Sequence, residues 1–181
     1  MIVVLDASVL LYFLDERAKP PKRRGSDEVV ERCRERVECL IAALQASKAK
    51  IIIPTPVLAE VLVGAGGSAA EWLRILTTSK HFRLAPFEER AAIEFAATQA
   101  SRSAAGVKSA STTWAQAKFD AQIMAIAAVE GASIIYSDDG HIRSSAGSRF
   151  EVIGIEDLPL PPEDPQASFE FPSEPEVGDA D

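Results

Sequence analysis

The sequence predicts an α/β protein built on a mainly parallel sheet. Short unbroken apolar runs, the pattern of strands buried on both faces, recur along the chain. Each is followed by a segment with helical apolar spacing. Strands alternating with helices in this way make βαβ units, and no internal repeat is visible.

The first run, Ile2–Leu5, predicts a strand; Asp6–Ser8 is a turn and helix start, and Val9–Leu14 a short helix. Asp15–Ser26 contains Pro20, Pro21 and Gly25 and predicts a loop. Asp27–Lys48 predicts a long helix capped by Ser26 or Asp27, because Val30, Cys33, Val37, Leu40, Ile41 and Leu44 recur at helical spacing. Ile51–Ile53 is a second strand. Thr55 then caps a helix with Pro56 at its first position, running to about Val63 and broken by Gly64, Gly66 and Gly67. A helix over Ala69–Thr77, a strand over His81–Leu84 and a helix over Phe87–Ser103 follow. Ser103–Thr113 is small and polar, a connection. Trp114–Glu130 predicts a helix that is apolar almost all round after Asp120, hence buried. Ser133–Tyr136 is a strand, Asp139–Ala146 a short helix and Phe150–Ile153 a last strand.

The 181 residues amount to about one domain, and 47 % hydrophobic with 25 % charged residues excludes a disordered chain, a coiled coil or a collagen. A net charge of −8, taken whole, opposes binding to nucleic acid. The charge is uneven, however. Nine of the 27 acids and none of the 19 bases lie in residues 156–181, which leaves 19 bases against 18 acids in residues 1–155. Residues 1–155 are expected to form the folded domain, and 156–181 a disordered acidic, Pro-rich tail. The N-terminus lacks the pattern of a signal peptide, and no segment is apolar for long enough to span a bilayer. Cys33 and Cys39, six apart on a helix, turn away from each other. A reduced, cytoplasmic protein without a membrane partner is the expectation.

The informative residues are carboxylates where folding does not favour them. Asp6 follows the first buried strand, and Asp138 and Asp139 follow the strand Ser133–Tyr136, so these acids share the carboxyl edge where parallel sheets bind ligands. Glu60 has Pro56, Val57, Val63 and Gly64 three and four positions away, and Asp120 has Ala117, Ile123 and Met124. Both are expected on buried faces. A lone acid at a strand end is ordinarily a cap or a solvated turn residue. Several unpaired carboxylates together repel and need an opposing charge. Lys118 is the one base close to them in the apolar segments. A hard cation such as Mg²⁺ or Mn²⁺ suits an oxygen-only set, whereas His81, His141 and the two cysteines make no convincing zinc site. Spacing alone does not separate Asp138 from Asp139.

Ile2-Val3-Val4-Leu5-Asp6-Ala7-Ser8-Val9-Leu10 resembles the first motif of PIN-domain nucleases. Thr55-Pro56-Val57-Leu58-Ala59-Glu60-Val61 resembles their second, Phe119-Asp120-Ala121-Gln122-Ile123 their third and Tyr136-Ser137-Asp138-Asp139 their fourth. The resemblance is greatest to the toxin nucleases of bacterial toxin–antitoxin pairs. It implies a three-layer α/β/α sandwich and a Mg²⁺- or Mn²⁺-dependent ribonuclease. Asp6, Glu60, Asp120 and Asp139 would be the catalytic metal-site acids, with Asp138 left open beside Asp139. Ser8 and Ser137 would support them by hydrogen bonds. A small antitoxin and a homodimer are the implied partners. Leu62, Trp72 and Leu76 are candidates for such surfaces, with core packing explaining them equally well. Three features depart from the family pattern: the long Asp15–Ser26 loop, the second acid of the fourth motif and the acidic tail.

Lys19, Lys22, Arg23 and Arg24 could bind RNA phosphates from that loop. Arg32, Arg34 and Arg36 alternate with Glu31, Glu35 and Glu38, the pattern of a solvated, ion-paired helix. Trp72 and Trp114 read as packing residues. The competing class is a catalytically silent interaction module. An aspartyl phosphatase ranks lower, because Ser8 stands where a second acid is needed.

Overall fold

The computed structural model describes residues 1–104, 106 and 114–160. In chain order the main elements are β1 (Ile2–Leu5), α1 (Ala7–Leu14), α2 (Cys33–Ala46), β2 (Lys50–Pro54), α3 (Thr55–Ala65), α4 (Ala69–Thr78), β3 (Phe82–Ala85), α5 (Glu89–Ala104), α6 (Trp114–Glu130), β4 (Ile134–Tyr136), α7 (Gly140–Ala146) and β5 (Glu151–Ile153). The expected connection over Ser103–Thr113 falls, past Ala104 and apart from Gly106, outside the described residues. So do the tail beyond Leu160 and the side chain of Trp114.

All four strand pairings are parallel, in the order β3-β2-β1-β4-β5. β1 is central: Val4 pairs with Ile52 on one side and Ile135 on the other. Its Val3, Val4 and Leu5, with Ile51–Ile53 and Ile135, are fully buried. This is why these strands read as unbroken apolar runs. The chain leaves β1 toward β2 and β3, then crosses back to β4 and β5. Right-handed crossovers travelling in opposite directions put their helices on opposite faces. Accordingly α1, α2, α3 and α4 pack among themselves, and α5, α6 and α7 do likewise. The result is the three-layer α/β/α sandwich. The sheet reverses direction between β1 and β4, and a crevice opens at such a point beyond the carboxyl ends of the strands.

Two local expectations are corrected. The helix expected from Asp27 begins at Cys33. Residues 22–29 instead form a small hairpin, in which Lys22 bridges Val29 antiparallel and the Arg23 amide donates to the Glu28 carbonyl at 2.7 Å. Gly25, at φ +73, makes that turn, and the Ser26 hydroxyl accepts from the Glu28 amide, so Ser26 caps a turn rather than a helix. Gly64 lies within α3, which ends at Ala65; the positive φ of Gly66 terminates it. The described chain continues beyond residue 155. Ile155–Asp157 form a 3₁₀ turn, and Ile155 and Leu158 are buried.

That turn is tied down from several directions. Arg24 pairs with Glu156 and Asp157, Arg143 reaches Asp157 at 3.3 Å, and the buried Arg36 donates to the Leu158 carbonyl. Arg36 is therefore not on a solvated face, although Arg32–Glu35 and Arg34–Glu38 pair as the alternation predicts. Trp72 and Leu76 are core residues and are not available as a docking surface. Cys33 and Cys39 are free thiols.

Candidate active site

The carboxyl edge of β1 and β4 carries Asp6, Asp138 and Asp139. Asp6 occupies the cap position of α1, yet its side chain makes no capping bond. Its Oδ2 accepts instead from Ser8 Oγ and Ser137 Oγ, both at 2.8 Å. The two hydroxyls also receive the next backbone amides: Asp138 N–H donates to Ser8 Oγ and Asp139 N–H to Ser137 Oγ, each at 3.0 Å. The serines thus link the end of β1 to the end of β4. Asp6 is only 5 % exposed, and burial holds its carboxyl above the usual range despite the two serine donors.

Asp139 caps α7, its Oδ1 accepting from the His141 amide at 2.6 Å. Asp138 reaches toward the C-terminal turn as well: its Oδ1 accepts from the Ile155 amide at 2.8 Å, and Arg143 and Arg24 act on it. The charge of Asp139 is felt at Asp6, Glu60 and Asp120. Both neighbours line the cleft, and Asp138 Oδ2, like an oxygen of Asp120, is buried without a hydrogen-bond partner among the described residues.

α6 contributes Asp120, 7 % exposed, with a buried Oδ2 that has no hydrogen-bond partner among the described residues. Burial, then the charges of Asp139 and Asp6, raise its pKa to about 6, with His141 opposing. α3 contributes Glu60, raised by partial desolvation and then by Asp6 and Asp139. Glu60 is exposed, against expectation. Pro56 and Val57 are buried, but the stripe they begin opens onto a cleft one turn later.

The cleft, about 630 Å³, is lined by Asp6, Glu60, Asp120, Asp138 and Asp139. The acids ring it without converging: among the described residues no three His, Cys, Asp or Glu side chains form a group that could hold an ion. A ring of this kind fits a cation that keeps several of its waters and takes one or two carboxylates directly, as Mg²⁺ does. The orphaned oxygen of Asp120 and the oxygen-only donor set point the same way.

The basic loop lies elsewhere. Lys22 pairs with Asp27 at 2.6 Å, Arg23 with Glu28 at 4.0 Å, and Arg24 with the C-terminal turn, while Lys19 lies on the same loop away from the cleft lining. Sequence reasoning missed His141, Gly154 and the apolar cleft wall. An exposed aromatic beside an acid, Phe119, was the available signal for the wall. Nothing local marks Gly154, where a Cβ would stand 2.7 Å from Asp138 Oδ1.

A doubly wound parallel sheet with an acid-ringed cleft where its strand order reverses defines an α/β protein with a candidate ligand site at the carboxyl edge of the sheet. The model of the PIN domain matches residues 3–147, and the chain belongs to the PIN-domain family. The fold is similar to that of VapBC2 from Rickettsia felis bound to a promoter DNA fragment (14 % identity, TM-score 0.58, 85 % of this chain and 98 % of that one). It is likewise similar to FitAcB from Neisseria gonorrhoeae (19 %, 0.56, 86 % and 99 %). DNA-bound VapBC from Salmonella typhimurium also shares it (11 %, 0.56, 86 % and 98 %). No curated protein sequence matches. Among the described residues no helix is long and apolar enough to cross a membrane.

Proposed function

We propose that this PIN-domain protein is a Mg²⁺- or Mn²⁺-dependent ribonuclease acting as the toxin of a toxin–antitoxin pair. The observation that carries the reading is the meeting of Asp6, Glu60, Asp120 and Asp139 around one cleft at the carboxyl edge of the sheet. These four would hold the cation, directly or through water. Such an ion lowers the pKa of a bound water and neutralises charge developing on the phosphate. Ser8 and Ser137 fix the orientation of Asp6, and Asp139 is held by the α7 amide. Asp138 acts as a positioning residue for the C-terminal turn rather than as the fourth acid. Of the Lys19–Arg24 cations, Arg24 clamps that turn, while Lys22 and Arg23 pair within their own loop.

The similarity in fold to VapBC2, VapBC and FitAcB supports a small antitoxin partner, and a homodimer in the cytoplasm completes the proposal. The silent-module reading keeps one observation in its favour, the unconverged acids. Cleavage assays on tRNA, mRNA and rRNA with Mn²⁺, Mg²⁺ or EDTA decide between them. Cleavage by the wild type with metal, lost in EDTA and in Asp6→Asn, is expected. A folded wild type that cuts none of these RNAs with either metal overturns the enzyme. Induced expression that is harmless without an antitoxin overturns the toxin role.

A further inference from the structure

We propose that Phe119 and Val63 wall a nucleobase site, so that the cleft takes an unstacked base of single-stranded RNA beside the phosphodiester. The inference rests on the ribonuclease reading and adds the form in which the substrate is bound. Phe119 is 53 % exposed and Val63 85 % exposed, and both line the cleft. So exposed a phenyl ring gives the core little burial. On α6, Phe119 shares one stripe with Gln116, Asp120 and Ile123, all of which line the cleft. On α3, Val63 lies three residues from Glu60, on the same face. Each wall therefore sets one acid beside one exposed apolar side chain.

That pairing matches a nucleotide. The acid side suits a phosphate approached through a cation, but neither phosphate nor ribose offers anything to a bare phenyl. A base does, through its flat π face. Duplex RNA keeps its bases inside the stack, whereas single strands, loops and bulges present them to aromatic side chains. The cleft volume of about 630 Å³ lies within the range that encloses small ligands.

Phe119→Ala, Phe119→Leu and Phe119→Trp test the site. Cleavage of a single-stranded oligomer is followed in Mn²⁺, its binding in Ca²⁺ by fluorescence anisotropy, and folding by melting temperature. A set of oligomers carrying one abasic residue at each successive position is measured in parallel. Phe119→Ala should raise KM and weaken binding roughly tenfold, with kcat less affected. Phe119→Leu should behave like Ala while melting like the wild type, and Phe119→Trp should retain affinity. One abasic position should reproduce the loss in the wild type and add nothing in Phe119→Ala. Wild-type behaviour of Phe119→Leu overturns the inference and indicates an apolar docking surface for a protein. Equal affinity of intact and abasic oligomers also overturns it. If the wild type cleaves no RNA, the ribonuclease reading falls, and the anisotropy comparison alone decides whether a base site exists.

Discussion

Ser137 has no exposure and performs two tasks with one hydroxyl, donating to Asp6 Oδ2 and accepting from the Asp139 amide. Removing it leaves a buried carboxylate oxygen and a backbone amide short of a partner, a loss of about 1–3 kcal/mol. Ser137→Ala should therefore lower stability by that amount in urea melts and reduce cleavage. Ser8→Ala, at a half-buried position, should cost less. Equal stabilities for wild type and Ser137→Ala would contradict the linkage drawn between β1 and β4. The acids make a second prediction. Asp120 has a folded pKa of about 6 against an ordinary 3.8, and Asp6 and Glu60 shift upward too. A carboxyl raised in the folded state favours folding while protonated, and that advantage is lost as pH rises through the window from about 4 to 6. Metal-free protein should melt higher at pH 5 than at pH 7.5, and Mn²⁺ at pH 7.5 should narrow or reverse the gap. A metal-free melting temperature that is higher at pH 7.5 sinks this account.

The fourth motif and the C-terminal turn behave as one unit. Gly154 has φ −89, so alanine is allowed by the backbone, but its Cβ would meet Asp138 Oδ1 at 2.7 Å and Arg143 Nη2 at 3.0 Å. Gly154→Ala should destabilise by about 1–3 kcal/mol through the displaced Asp138–Ile155 bond, read in a thermal or urea melt. A neutral result would show that Asp138 and Arg143 move aside freely. At this level the limits of sequence reading are plain. The strands were legible because burial on both faces leaves an unbroken apolar run. The start of α2 was not, because Val30 continues the helical spacing while being buried by a hairpin. Asp120 was legible as an acid on a buried face, and Asp6 as an acid at the carboxyl edge of a buried strand. The exposure of Glu60 and the divergence of Asp138 from Asp139 were not, since both depend on elements distant in sequence. The partner of Asp138 is Ile155, seventeen residues on.

For the molecule as a whole, the tail and the body divide the charge less sharply than the sequence implied. Glu156 and Asp157 pack on the described domain, where they neutralise Arg24 and Arg143. Removing residues 161–181 takes away seven acids and no base. It should leave the melting temperature unchanged and strengthen RNA binding at low salt, with the difference fading as salt rises. Unchanged affinity at low salt would show that the tail does not compete with RNA. Ending the chain at Gly154 removes the buried Ile155 and Leu158 and should prevent stable folding.

The placement of β1 between β2 and β4 also sets a timetable. Val3 pairs with Ile134, and Asp6 is held by Ser137, 131 residues later. Closing so long a loop is slow compared with local folding, and a chain made from its N-terminus folds in that order. A growing chain contains Asp6 and Glu60 well before the strand that completes their edge, and Asp120 only shortly before it. The centre that would cut RNA is assembled last, when most of the message encoding it has already been read.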